Sequence, residues 1–89
     1  GDGLSLLVST HDVNFAWRWA DRAIVLSHGR ILRDAPVCDV FADDALLAAA
    51  GLQKPELFAV SQLLFPALPG DAYPRSLPAL QIMLQENHP

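Results

Sequence analysis

Leu4-Ser5-Leu6-Leu7-Val8-Ser9-Thr10-His11-Asp12 decides how this chain is read. The run from Leu4 to Ser9 is mostly aliphatic without clean alternation. That predicts a strand buried on both faces, as in a parallel sheet, and the polar Thr10-His11-Asp12 ends it. Working outward, Thr10 or Asp12 stands where a helix N-cap belongs. The helix then runs from about Val13 to Asp21, with Val13, Ala16, Trp17 and Ala20 at the spacing of one buried stripe. Arg22 to Ser27 reads as a second strand, His28-Gly29 as a two-residue turn, and Arg30 to Asp34 as a more polar return strand at a sheet edge. Strand, helix and strand make a βαβ crossover, right-handed by the usual rule, followed by an antiparallel hairpin.

From Pro36 the texture changes. Pro36 suits the first turn of a short helix from Val37 to Phe41. Asp43 or Asp44 caps another that continues through Leu46, Leu47, Ala49 and Ala50 and stops at Gly51. Pro55 opens a third helix, Glu56 to about Leu64, with Leu57, Val60 and Leu64 expected on one stripe. Pro66, Pro69, Gly70, Pro74 and Pro78 punctuate a linker-like stretch, and a last helix runs from Pro78 to Gln85. The layout is an α/β half, residues 1–35, followed by a helical tail, residues 36–89.

Composition narrows the function classes. The chain has 89 residues, 52% of them hydrophobic and 18% charged, which argues against intrinsic disorder. A chain this short buries roughly two thirds of its unfolded surface. Its apolar excess therefore implies surface left for something outside the chain to cover. The net charge of −4 argues against a nucleic-acid partner, and the six basic residues are scattered. A single cysteine, Cys38, permits neither an internal disulfide nor a multi-cysteine zinc site. The apolar runs are too broken for a membrane span. A start at Gly1-Asp2-Gly3, with a strand following at once, suggests a beginning inside a longer gene product.

The residue most able to carry chemistry is His11, placed just beyond the carboxyl end of the first strand. Ligands of open α/β sheets bind there, because loops and helix N-termini converge. An imidazole can donate one hydrogen bond and accept another, which suits a phosphate oxygen or a developing charge. A strand-end histidine bonded to a nearby carbonyl is the plainer alternative from spacing alone. A metal pair of His11 and Asp12 would need further ligands, and only His28 and His88 remain among the histidines. A Cys38/His11 nucleophile pair lacks a basic neighbour to activate the thiol, so Cys38 reads as structural. Trp17 and Trp19 sit on an amphipathic helix and read as core or partner packing. The sequence contains no G-x-x-x-x-G-K-[ST] and no G-x-G-x-x-G, so no loop here cradles a triphosphate.

Taken together, Leu6-Leu7-Val8-Ser9-Thr10-His11-Asp12, Trp19-Ala20-Asp21-Arg22-Ala23-Ile24-Val25-Leu26, Gly29-Arg30-Ile31 and Pro36-Val37-Cys38-Asp39-Val40-Phe41 resemble the carboxyl-terminal third of an ABC transporter ATP-binding subunit. In that family a buried strand ends in T-H-D, and a helix leads to an A-D-R motif, a strand, a Gly-Arg turn and a return strand. The helix Val13 to Asp21, with Leu46-Leu47 and Gly51-Leu52-Gln53-Lys54-Pro55-Glu56-Leu57, is similar to the cobalt/nickel type of energy-coupling-factor importers. The resemblance is close from Leu4 to Leu57 and loose from Ser61 onward.

That resemblance implies a fold and a role. The fold is α/β: the βαβ unit and hairpin at the end of an ABC-type ATPase core, then a small helical tail. His11 would be the catalytic switch histidine of the H-loop, near the γ-phosphate, with Thr10 and Asp12 flanking it and no resident metal site. ATP and Mg²⁺ would serve the complete subunit, with neither expected on the isolated chain. Partners would be the remainder of the ATPase core, a second ATPase subunit and membrane transport subunits at the cytoplasmic face of the membrane. Self-association of the isolated chain is also expected. The phosphate loop, glutamine loop, signature motif and catalytic glutamate of the family lie upstream and are not in this chain. The alternative is a small non-enzymatic interaction or dimerisation module derived from such a subunit.

Overall fold

A computed structural model describes residues 3–9 and 11–86. In chain order it contains β1 (Ser5–Val8), α1 (Val13–Trp19), β2 (Arg22–Ser27), β3 (Arg30–Pro36), α2 (Val37–Ala42), α3 (Asp44–Ala50), α4 (Glu56–Leu64), a 3₁₀ turn (Gly70–Ala72) and α5 (Leu77–Glu86). The architecture is mixed α/β, as expected.

The sheet order is β1-β2-β3. β1 pairs with β2 in parallel, Leu6 opposite Ala23 and Val8 opposite Val25, and β3 returns antiparallel. Both residues of the hairpin turn have positive φ, 52° at His28 and 76° at Gly29. This is the backbone that a two-residue turn matching the strand twist requires. The register slips between Val25 and Leu26, so that β3 bulges where it leaves the turn.

β1 departs from the expectation of burial on both faces. Val8 is buried on the side shared with Ala23, Val25 and Ala35, while Leu7 on the opposite side is 58% exposed. Leu26 and its partner Ile31 are also exposed. Among the described residues no strand pairs with the outer edge of β1. The run that reads as a two-sided interior strand is therefore an edge strand among the described residues, buried on one side.

The start of β1 is stitched to the rest by Asp21. Its carboxylate accepts from the Leu4 N–H at 2.7 Å, and its own N–H donates to the Leu4 carbonyl at 2.8 Å. The Asp21 carbonyl accepts from the Val37 N–H at 3.0 Å, so one residue joins the entries to β1, β2 and α2.

The tail helices end where local chemistry says they should. Asp43 caps α3 by accepting from the Leu46 N–H at 3.0 Å. Gly51, at φ 70°, closes α3, and the Leu52 N–H reaches back to the Leu47 carbonyl at 2.9 Å. Pro36 ends β3 and stands at the N-cap of α2 instead of inside its first turn. On α4 the buried residues are Phe58 and Ser61, whereas Val60 and Leu64 are about half exposed. The expected Leu57/Val60/Leu64 stripe is therefore corrected. The ring of Phe58 turns the helix about one residue, roughly 100°.

That ring stacks on Trp17, with centroids 4.4 Å apart and planes at 26°. Trp17 also meets Phe41 edge-on at 6.3 Å, and Phe58 meets Tyr73 edge-on at 5.2 Å. Trp17, Phe41 and Phe58 are fully buried, so the core is an aromatic cluster drawing on α1, α2, α4 and the segment before α5. The proline-punctuated stretch is thus not a linker in the structure. Tyr73 and Pro74 are buried, and the indole N–H of Trp17 donates to the Pro74 carbonyl at 2.9 Å. Proline spacing forbids long helices, but it carries no information about such distant contacts.

Trp17→Ala is expected to cost about 3–5 kcal/mol through the lost ring. Trp17→Phe should cost about 1–3 kcal/mol through the carbonyl left unpaired. Urea denaturation followed by circular dichroism measures both, and an unchanged midpoint for Trp17→Ala would contradict this core.

Candidate functional site

Beyond Val8 the chain leaves β1 and enters α1 through a short loop that carries His11. The loop is closed by its own polar groups. The Asp12 N–H donates to the Ser9 carbonyl at 3.0 Å, and the Ser9 hydroxyl donates to the Asp12 carboxylate at 2.6 Å. The Asp12 carbonyl accepts from the Ala16 N–H at 2.7 Å, so the loop runs directly into the first turn of α1. Asp12 occupies the N-cap position, yet its side chain makes no capping bond because the Ser9 hydroxyl holds it. The expected Asp12 cap is corrected accordingly. Thr10 lies outside the described residues.

His11 is exposed, and among the described residues its imidazole has no hydrogen-bond partner. It is therefore not a strand-end histidine tied to a carbonyl within that set. Being exposed, its ring is accessible to an oxygen supplied from outside. Beside the loop a cleft of about 510 Å³ is lined by Leu7, Val8 and Leu26 of the sheet and by Ala50 and Leu52 after α3. Ser9 and Asp12 line it too. The cleft is largely apolar, so a highly charged ligand would find few partners there.

The residues present do not make a triphosphate site alone. The sequence has one lysine, Lys54. It is committed to Asp44 at 3.0 Å and Gln62 at 2.8 Å. The His11 loop itself offers an imidazole and a carboxylate, and the carboxylate repels phosphate.

Cys38 is half-buried on α2, against the backbone of Gly70. Burial pushes its thiol pKa up, and neighbouring Asp39 adds to the shift. A raised thiol is a poor nucleophile at neutral pH. The folded state favours the neutral thiol, so that contribution is present at neutral pH and lost as pH rises through the thiol range. Among the described residues no three His, Cys, Asp or Glu side chains gather as a metal site. Trp17 is core, while Trp19 is 57% exposed with the Arg18 guanidinium 4.9 Å above its ring. No helix among the described residues is long and apolar enough to cross a membrane.

Three residues that sequence reasoning passed over tie this region to the tail. Asn14 accepts from the Glu56 N–H at 3.0 Å and so caps α4 from a distance. Arg75 donates from Nε and Nη2 to the carbonyls of Trp17 and Ala20. The hydroxyl of Tyr73 donates to the Phe65 carbonyl. An Arg and a Tyr in a proline-rich stretch were the available signal, and nothing local pointed them at α1.

No known protein-family model matches the chain. Its curated homologues are ABC transporter ATP-binding proteins. The energy-coupling factor transporter ATP-binding protein EcfA2 of Methanospirillum hungatei is 40% identical over 60 residues, 67% of this chain and 15% of that protein. A putative ABC transporter ATP-binding protein of Bacillus cereus is 42% identical over 55 residues, 62% of this chain and 10% of that protein. One from Methanosarcina acetivorans is 37% identical over 62 residues, 70% of this chain and 19% of that protein. The chain thus matches less than a fifth of the length of these relatives.

Proposed function

We propose that this chain is the His-bearing carboxyl-terminal portion of an ABC-type ATP-binding subunit, with the α/β part (1–35) ending the ATPase core and 36–89 forming its helical extension. The observation that carries the reading is the 40% identity to an energy-coupling-factor ATP-binding protein. It joins an exposed histidine placed just past the carboxyl end of a parallel strand. The finer assignment is to a cobalt- or nickel-class importer, following the resemblance of α1 and of the Gly51 to Leu57 stretch.

In the complete subunit, ATP and Mg²⁺ are bound by upstream segments. His11 is the catalytic residue this chain contributes, donating a hydrogen bond to a γ-phosphate oxygen as hydrolysis proceeds. A hydrogen bond to a charged oxygen contributes about 1.5–3 kcal/mol, which helps to place the reacting phosphate but cannot bind the nucleotide alone. Thr10 and Asp12 shape the loop, and the Ser9–Asp12 bond supports that role for Asp12. The isolated chain is catalytically incomplete and needs no cofactor. Its partners are the rest of the core, a second ATPase subunit and membrane transport subunits, at the cytoplasmic face of the membrane.

The edge of β1, unpaired among the described residues, and the exposed Leu7 and Ile31 support self-association of the isolated chain, since an open apolar edge templates strand pairing. This feature also favours the second reading, an interaction module without nucleotide chemistry.

In the complete subunit His11→Ala should slow ATP hydrolysis by about a hundredfold or more. Nucleotide affinity should stay within a few-fold, and equal loss of both would make His11 a binding or folding residue. For the isolated chain, sedimentation across a hundredfold range of concentration should show a dimer or larger species. A folded monomer at high micromolar concentration would contradict self-association.

A further inference from the structure

Helix α1 has seven residues, two turns, and a helix that short does not persist by itself. It is nevertheless fastened from outside at successive turns. Asn14 holds the Glu56 N–H, the Trp17 indole holds the Pro74 carbonyl, and Arg75 holds the carbonyls of Trp17 and Ala20. The Arg75 guanidinium also lies 5.2 Å from the Trp17 ring centroid. The end of α1 is Ala20 in extended conformation, with no glycine to turn back its last carbonyls. Arg75, from more than fifty positions away, supplies the donors that a local cap would otherwise provide. At its other end α1 continues into the loop of Ser9, His11 and Asp12 through the Ala16–Asp12 hydrogen bond.

We propose that the segment from Phe65 to Ser76 is a strap that keeps α1 folded and thereby sets the placement of the His11 loop, with Arg75 as its positioning residue. Within the strap the Tyr73 hydroxyl donates to the Phe65 carbonyl, and the Tyr73 ring fastens the segment to Phe58 of α4 edge-on. At its carboxyl end Ser76 caps α5, accepting from the Ala79 N–H at 3.2 Å. Arg75 is only partly buried and lines an open cleft of about 380 Å³ together with Trp17, Leu57 and Leu80. Tyr73 and Pro74 of the strap are buried in the core, so Arg75 is the part of it whose contacts can be removed without emptying the core. Losing Arg75 removes the last-turn donors from α1, and a two-turn helix then frays as a unit. The catalytic meaning of this placement rests on His11 facing a phosphate, but the mechanical coupling does not.

Amide hydrogen exchange by NMR on the whole 89-residue chain tests it, with no nucleotide present. In R75A the amides of Asp12, Ala16 and Ala20 should exchange at least tenfold faster, while Leu52 and the β2–β3 ladder stay within twofold. R75K keeps the charge but loses the planar fork, so the same amides should accelerate by about threefold. If R75A does not fold, R75K alone decides. Uniform acceleration of all amides, or acceleration confined to Ala20, would overturn the strap. Because nucleotide is absent, either result leaves the ATPase reading to its own test.

Discussion

The buried indole of Trp17 is the contact on which the rest of this structure depends. Its face stacks on Phe58, its edge meets Phe41, and its one polar atom donates to Pro74. A chain of this size has little apolar volume to spend, and no single helix here exceeds ten residues among the described ones. Helices α1, α2 and α4 hold together because they share one aromatic cluster. Remove the indole and α1, α4 and the strap lose their common surface together. The donor matters as much as the ring, since a tryptophan buried without a partner for its N–H would carry a desolvation cost.

The sheet is asymmetric in a way that bears on function. One face enters the aromatic core through Val8, Ala23, Val25 and Ala35. The other leaves Leu7, Leu26 and Ile31 to solvent, and among the described residues β1 presents an open edge. Apolar residues at such positions are what a strand within a larger sheet would carry. This fits a chain that matches less than a fifth of the length of its relatives.

Legibility in the sequence followed the range of the interaction. The His28-Gly29 turn, the cap at Asp43 or Asp44 and the Gly51 stop were readable, because each is set by residues within about one turn of one another. The stripe of Val13, Ala16, Trp17 and Ala20 was readable for the same reason. The face of α4 was not, because Phe58 is drawn inward by the distant ring of Trp17. The prolines from Pro66 to Pro78 looked like a linker, since nothing local announces that Pro74 receives an indole proton. At the site, His11 was legible as a strand-end histidine, whereas the Ser9–Asp12 bond that displaces the helix cap was not. Asp21 belonged to a motif recognised by resemblance, and the structure supplies its physical work as the joint between β1, β2 and α2.

The described residues thus offer an exposed histidine, a helix that cannot stand without distant support, and an apolar sheet face with an open edge. These agree with a segment whose chemistry is completed by residues elsewhere in the same subunit. The most direct measurement is the coding sequence continuous with the codon for Gly1. An ATP-binding core requires, in the same frame upstream, a Gly-x-x-x-x-Gly-Lys-[Ser/Thr] loop to cradle the phosphates and a strand followed by the catalytic glutamate. Finding both is the predicted result. A start codon close to Gly1, with no such loop in frame, would contradict the assignment and leave the interaction module in its place.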